Sequence, residues 1–554
     1  MGIWWIAYQD DAKGNDSQTS QLAFSLAASP LVGVLLGFVW LVTVRVTSQG
    51  VNFWAWFYLG LMLSAGIVLW RWFFQRTGLT RASIVLVGIS AFLLVLYLAF
   101  ISDLFVPLYF DSLEHVQIAN DFLHPEASPT AFHSLEKLGK RYYHFGFHTL
   151  TSWLSAISGA EVRQVILILG QLLLAGMPLA IFFFSHTLTD QNWHGIWAAL
   201  LAGVGWAMPA FAVNWGKYPA LAALATLPLS LGALEMLCTS REGRRHRAWW
   251  LALMLTLTGC TLFHTRALVA FVLYLASKVL VQVWQCLTHP WRLIGGLVLV
   301  AGLITLLIRA LPVLGPYASP ATILLLILLP LSLRVSPVRS LTLLCFIALL
   351  LLSLWIPVPF LRHGRVELLD RQFVQMAICI PLSVLAGLGL ASLAQQLRWR
   401  WSRLAWDWIQ AAAWLAFGLA LVVGFVNNGL THPDACCSFV HQSELYAIAW
   451  IATEIPVEAK IVIAGFAPPN KNIGNDGGIW INTLTGRSTY TLRYDTNWAS
   501  AKIHNRICNS GATHVYAGSM SYSFRQDLLE ATAWYRPVLV LPPARVYTIL
   551  DCPE

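Results

Sequence analysis

Apolar runs long enough to cross a bilayer, about 17–25 residues each, recur from Leu22 to Phe425 and set the solvent in which most of this chain folds. Of its 554 residues, 57% are hydrophobic and only 11% charged, against roughly 25% charged in a soluble globular protein. No water-soluble fold of this size hides that much apolar surface. The runs fall near residues 22–46, 52–74, 82–104, 162–186, 194–211, 218–240, 248–264, 267–286, 293–315, 320–333, 340–356, 372–396 and 406–428. They predict a polytopic α-helical membrane protein with about 13 spans. Many Trp residues stand at predicted helix ends (Trp70, Trp72, Trp249, Trp250, Trp399, Trp401), where indole rings favour the headgroup region.

The formal charge of +9 lies mostly in short loops between these runs. It therefore speaks of topology and lipid phosphate, and not of nucleic acid. Arg71-Arg76-Arg81, Arg241-Arg244-Arg245-Arg247, Arg334-Arg339 and Arg398-Arg400-Arg403 all fall on one side, which the positive-inside rule makes cytoplasmic. Met1–Ser20 shows neither a secretory signal pattern nor, with Ile6 at the sixth position, a myristoylation motif. The expected organisation is a cytoplasmic segment at 1–21, a transmembrane domain at 22–428 with a large exported loop at 104–161, and an exported domain at 429–554. Within the loop, Phe145–Ser158 reads as an interfacial or re-entrant helix.

The tail has a different grain. Helices are expected at Gln442–Thr453, Ala499–Asn509 and Arg525–Trp534, and strands at Ala459–Gly465, His514–Gly518, Val538–Leu541 and Val546–Leu550. This is a small α/β domain. It also holds Cys436, Cys437, Cys508 and Cys552, all disulfide candidates on an oxidising face. A bond between adjacent cysteines is strained, so Cys436 and Cys437 are each expected to reach for Cys508 or Cys552. No Cys-x-x-Cys or His-Glu-x-x-His spacing points to zinc.

Ionisable residues on the exported side carry the chemistry. Asp111, Glu114 and His115 have i, i+3, i+4 spacing, so they share a helix face. Such a set takes a proton from an acceptor hydroxyl or, with Asp111 as ligand, holds Mg or Mn. The alternative is a helix N-cap at Asp111 with solvated followers. His144 and His148 lie one turn apart and are candidate substrate ligands, or else solvated interfacial rings. Lys217, His264 and Arg266 stand among apolar neighbours, and Arg362-His363-Gly364-Arg365 is followed by Asp370-Arg371. Positive charge here runs against the topology rule, and phosphate is its natural partner, because guanidinium matches that geometry. Lys217, His264, Arg266, Arg365 and Arg371 are thus candidate donor-phosphate ligands.

The layout resembles the GT-C superfamily of membrane glycosyltransferases. In that superfamily an acidic residue opens the first exported loop, the place Asp111 holds. Tyr143 to Leu150 resembles the interfacial helix of bacterial members. Asn214-Trp215-Gly216-Lys217-Tyr218, His264-Thr265-Arg266, Leu369-Asp370-Arg371 and Trp480 with Thr485-Gly486-Arg487 are similar to further recurring pieces. Two spans precede the first helix of that pattern, and the paired acidic motif is here Asp-Ser-Leu-Glu. The resemblance implies a bacterial inner-membrane enzyme that moves a sugar from a polyprenyl-phosphate donor to a glycan, lipid or protein acceptor. The rivals are a glycolipid transporter or flippase, which would show repeated halves, and a non-catalytic scaffold, which would show no cavity beside Asp111.

Overall fold

A computed structural model describes residues 15–47, 51–74, 80–124, 145–240, 243–290, 311–317, 320–357, 367–398, 419, 423–424, 426, 430–466 and 473–552. The membrane part comprises α1 (Asn15–Ala27), α2 (Ser29–Thr47), α3 (Val51–Phe74), α4 (Arg81–Phe100), α5 (Tyr109–Leu123), α6 (Phe145–Ser158), α7 (Val162–Thr189), α8 (Asn192–Leu200), α9 (Tyr218–Thr239), α10 (Arg244–Phe263), α11 (Arg266–Cys286), α12 (Pro320–Ile327), α13 (Leu329–Val335), α14 (Pro337–Leu352), α15 (Arg371–Ala377) and α16 (Cys379–Arg398).

Among the described residues, seven helical stretches are long and apolar enough to cross a membrane: Gln18–Val44, Arg81–Phe100, Val162–Thr189, Tyr218–Thr239, Arg266–Cys286, Pro337–Trp355 and Arg371–Gln396. Each matches an expected span. The expected spans at 293–315 and 406–428 lie mostly outside the described residues. The run at 194–211 is not one helix: α8 stops at Leu200, a π turn follows over Leu201–Gly205, and a 3-10 turn covers Ala210–Trp215. Gly203, Gly205 and Pro209 explain the break, since neither residue type sustains a helix interior. The run at 320–333 likewise divides into α12 and α13 before Pro330.

The stretches Val162–Thr189, Tyr218–Thr239 and Arg371–Gln396 are 83–89% buried and form the centre, whereas Arg81–Phe100 is 28% buried and shows its side chains outward. Between lipid-bathed helices, close packing of small residues replaces the hydrophobic effect as the force for association. Gly146 shows this. A Cβ there would stand 2.7 Å from the backbone of Leu262, so α6 crosses the last turn of α10 nearly in backbone contact. The predicted helix at Phe145–Ser158 is present with those bounds, and its middle is buried against α2, α5 and α10.

The tail holds α17 (Gln442–Glu454), β1 (Lys460–Phe466), β2 (Ile473–Gly474), α18 (Ile479–Thr485), β3 (Ser488–Arg493), α19 (Ala501–Asn509), β4 (Ala512–Ala517), α20 (Gln526–Glu530), β5 (Tyr535–Leu541) and β6 (Ala544–Ile549). Strand β1 lies between β3 and β4, parallel to both, and β2 pairs with its carboxyl end. Strands β4, β6 and β5 continue the sheet antiparallel. Alternation along β1 divides its side chains between two faces. Ile461 and Ile463 join a core continuous with the helical bundle, whereas Val462 and Ala464 pack with Trp498, Val515 and Tyr547 in a separate one. The tail is thus docked on the bundle.

The cysteine expectation needs correction. Cys508 on α19 bonds Cys552 after β6, with Cα atoms 5.4 Å apart, and Cys436 bonds its neighbour Cys437. The reason is position: Cys437 is buried where the tail meets the bundle, and its carbonyl accepts a 2.9 Å hydrogen bond from the Tyr109 amide. Cys508 and Cys552 belong to the sheet's other layer.

One buried acid gives the tail a pH signature. Burial pushes Asp476 from 3.8 up to about 6, opposed by hydrogen bonds from Ser523, Gly478 and Gly518 and reinforced by Glu444. A folded-state pKa above the unfolded one favours the native state at low pH, and that advantage is lost as pH rises through about 6. At about 1.4 kcal/mol per pK unit, the full swing is roughly 3 kcal/mol. Hydrogen-exchange protection of β1 and β4 amides, corrected for intrinsic rates, should fall between pH 4 and pH 7. Asp476→Asn should flatten that slope.

Candidate active site

Helix α5 begins with an unusual turn. Tyr109 has φ 65°, a left-handed backbone rare outside glycine and Asn/Asp. Its amide is tied to Cys437, and its ring lies 5.9 Å from that of Phe439. The Ser112 hydroxyl donates back to the Leu108 carbonyl at 2.5 Å, fixing the first turn and aiming Asp111.

The loop Asn214–Tyr218 passes directly over this turn. Gly216 has φ 63°, and a Cβ on it would lie 2.4 Å from Ser112 Oγ and 2.8 Å from the Leu108 carbonyl oxygen. Only glycine meets both demands. The close pass places Lys217 against Asp111, and its ammonium donates to Asp111 Oδ2. The Asn214 side-chain oxygen Oδ1 accepts from the Asp434 amide at 2.8 Å. One short tail segment, Asp434–Cys437, therefore holds both arms of the Asp111–Lys217 pair.

The turn between α10 and α11 supplies the opposite wall. His264 Nδ1 accepts from the Arg266 amide at 3.3 Å, which leaves the ring proton on Nε2, and the ring stacks on Phe373 with centroids 5.3 Å apart. Arg266 forms an ion pair with Asp370 Oδ2. The other oxygen of Asp370 caps α15, accepting from the Phe373 amide at 2.7 Å. On α5, His115 Nδ1 and His148 Nε2 are 3.1 Å apart. One ring must donate and the other accept, so His148 sets the tautomer of His115.

These groups surround one cavity of about 180 Å³, lined by Asp111, Glu114, His115, Lys217, His264, Arg266 and Asp370 together with Gln372, Phe373 and Met376. Pockets for whole ligands run to about 300–1,000 Å³, so this volume suits a head group. Three carboxyl side chains face one lysine and one arginine across it. All four side chains of the two ion pairs remain partly solvated, between 23% and 32% exposed, so a ligand can compete for the cations.

Six sequence candidates thus come together: Asp111, Glu114, His115, Lys217, His264 and Arg266. Two do not reach the cavity. His148 has no exposed surface and backs His115, because α6 is packed inside the bundle. Arg371 is not among the lining residues, and it donates to the Pro312 carbonyl. Its expected place is taken by Asp370. His144, Arg362, His363 and Arg365 lie outside the described residues. Sequence reading missed Gly216, whose need appears only when two distant turns touch. It also missed the buried Glu235, bonded to Lys278 and to the Tyr274 hydroxyl at 2.7 Å. Acidic and basic residues inside apolar runs were the available signal.

Asp111, the expected Mg or Mn ligand, is engaged by Lys217 in this arrangement. Among the described residues, the only group of three or more His, Cys or acidic ligand atoms gathered near one point is His504, Cys508 and Cys552, two of which are disulfide-bonded.

A family profile described as "Family of unknown function (DUF6541)" matches residues 20–353, more than half of the chain. No curated protein sequence matches. Two solved structures have a similar shape. One is the archaeal oligosaccharyltransferase AglB from Archaeoglobus fulgidus, in complex with an inhibitory peptide and a dolichol-phosphate, at 11% identity and TM-score 0.48, with 78% of this chain and 69% of that one covered. The other is the arabinofuranosyltransferase AftD from Mycobacteria, at 14% identity and TM-score 0.47, with 85% of this chain and 40% of that one covered. Both are glycosyl-transferring enzymes by name.

Gly216 gives a direct check on this geometry. Gly216→Ala adds a methyl to a left-handed residue in steric conflict with Ser112, and should destabilise the protein by about 1 kcal/mol or more. Thermal unfolding in detergent should register the loss. Trp215→Phe, in the same loop but half-buried, should cost less.

Proposed function

The chain belongs to the family of unknown function DUF6541, and we propose that it is a membrane glycosyltransferase that takes a sugar from a polyprenyl-phosphate donor. One observation carries this reading: the cavity in which Asp111, Glu114, His115, Lys217, His264 and Arg266 meet, although they come from three separate parts of the chain. A non-catalytic scaffold would not need it. A transporter would place its charges near the bilayer midplane, whereas these lie at helix ends. Antiparallel packing of α9 on α10 puts Lys217 and His264 at one end and Arg244 to Arg247 at the other. Under the positive-inside rule the cavity then faces the non-cytoplasmic side of a bacterial inner membrane, with the tail exported over it.

In the proposed reaction the donor phosphate enters between Lys217 and Arg266, replacing their ties to Asp111 and Asp370. Asp111, released from Lys217, accepts the proton of the acceptor hydroxyl. That oxygen bonds to the anomeric carbon as the bond from that carbon to the phosphate oxygen breaks, with inversion. The polyprenyl phosphate leaves with the bonding pair, its charge balanced by Lys217 and Arg266. His115, held in one tautomer by His148, and Glu114 support Asp111. The acceptor is a glycan, lipid or protein hydroxyl.

Purified protein supplied with radiolabelled polyprenyl-phosphate sugar and membrane extract as acceptor tests the assignment. Asp111→Asn should lower transfer by about 10²-fold or more, and Arg266→Met by a comparable factor with weaker donor binding. Full transfer by Asp111→Asn would remove that residue from the mechanism.

A further inference from the structure

Helix α5 is a wall between two cavities. Asp111, Glu114 and His115 line the one already described. Val116, Asn120 and Leu123, further along the same helix, line a second and larger one of about 520 Å³. That volume falls within the roughly 300–1,000 Å³ of pockets that take a whole ligand. The remaining walls are the end of α6, the start of α7 and the start of α3. The tail closes one side: Thr483 and Leu484 of α18 are lining residues. Beside them, Gln117 Nε2 on α5 donates to Thr483 Oγ1 at 3.1 Å and ties the tail to the helix.

The lining has no unmatched charge. Arg163 is the one Lys or Arg among the lining residues and Glu161 the one acid. They are paired with each other: Arg163 Nε donates to Glu161 Oε2 at 2.5 Å, while its Nη1 donates to the Phe105 carbonyl at 2.9 Å. A phosphate would find no free cation here, in contrast to the first cavity.

Neutral hydrogen-bonding groups remain. Among the described residues, the side-chain amides of Asn52 and Asn120 bond to no protein group. Each offers N–H donors and a carbonyl acceptor, so each can answer a hydroxyl in either sense. Val116, Leu123, Ala156 and Leu484 share the lining, and such aliphatic carbon packs on the C–H surface of a sugar ring. An acyl chain would leave the amides desolvated without partners, which is costly. The combination of free amides, aliphatic carbon and balanced charge fits an uncharged, hydroxyl-rich ligand.

We propose that this second cavity binds an uncharged oligosaccharide, held by Asn52 and Asn120 and covered by Thr483 and Leu484. That the oligosaccharide is the acceptor rests on the transferase reading above; that the cavity binds sugar does not. Asn120 stands nine residues beyond Asp111 on one helix, about 14 Å along its axis, a span that a chain of a few sugars bridges. The terminal hydroxyl would lie at Asp111 while the preceding sugars extend across α5 into the second cavity. The acceptor class then narrows to a neutral glycan, and the tail has the task of closing its binding site.

Full-length protein in lauryldimethylamine oxide, a detergent without a sugar head group, would be mixed with short neutral oligosaccharides released by mild acid from the envelope of the cells that make it. Saturation-transfer NMR reads contact with the sugars, and thermal unfolding checks that each variant is folded. Wild-type protein should give sugar signals. Asn52→Leu and Asn120→Leu each remove an amide that bonds to nothing in the protein, so both should keep the wild-type Tm. Together they should weaken sugar binding about tenfold or more. In the transfer assay the double variant should raise the KM for acceptor by a similar factor and leave kcat and donor binding unchanged. No sugar signal with wild-type protein, or a signal that the double variant leaves undiminished, overturns the proposal. Weakened sugar binding with an unchanged acceptor KM would overturn the acceptor role. Sugar binding that the variants weaken, in a protein that transfers nothing, would uphold the sugar site and refute the transferase reading alone.

Discussion

The contact between Asp111 and Lys217 is the joint on which the rest of the candidate site depends. It is an ion pair between residues 106 positions apart, made where a helix start and a loop cross at glycine distance. Alone, a partly solvated pair is worth little, about 0–1 kcal/mol. Its position is enforced by uncharged contacts: Ser112 closing the α5 turn, Gly216 passing over it, and the tail amides and carbonyls at Tyr109 and Asn214. Rigid surroundings and a weak central bond suit a site whose cations must change partners when an anion arrives.

Much of the fold was legible because membrane solvent imposes long apolar helices. The central spans at 162–186, 218–240 and 372–396 match observed helices to within a few residues. Where the text failed, glycine and proline had altered the helix, as at 194–211. In the tail, most strands were visible as short apolar runs between turn signals. The predicted helix at Arg525–Trp534 shrinks to Gln526–Glu530, and β3 went unread because Thr485-Gly486-Arg487 registered only as a turn. That turn is real, with Gly486 at φ 74° closing α18.

The site was legible in a different way. Charged residues set against the topology rule stand out in an apolar sequence, and most of those singled out line one cavity. Their pairing was not legible, since sequence spacing says nothing about contacts between residues 106 apart. Arg371 and Asp370 illustrate this. Adjacent in sequence, one turns to a backbone carbonyl while the other caps a helix and binds Arg266. The cysteines teach the same lesson, because strain between neighbours was weighed without knowing that α19 and the end of β6 meet.

In the proposed reaction the cavity holds the phosphate of a lipid-linked sugar. A cryo-EM structure of the protein with a non-hydrolysable polyprenyl-phosphate sugar analogue tests it most directly. Phosphate oxygens are expected within hydrogen-bonding distance of Lys217 and Arg266, with Asp111 freed and facing the anomeric carbon. A donor bound elsewhere, with the Asp111–Lys217 and Arg266–Asp370 pairs intact, would contradict it.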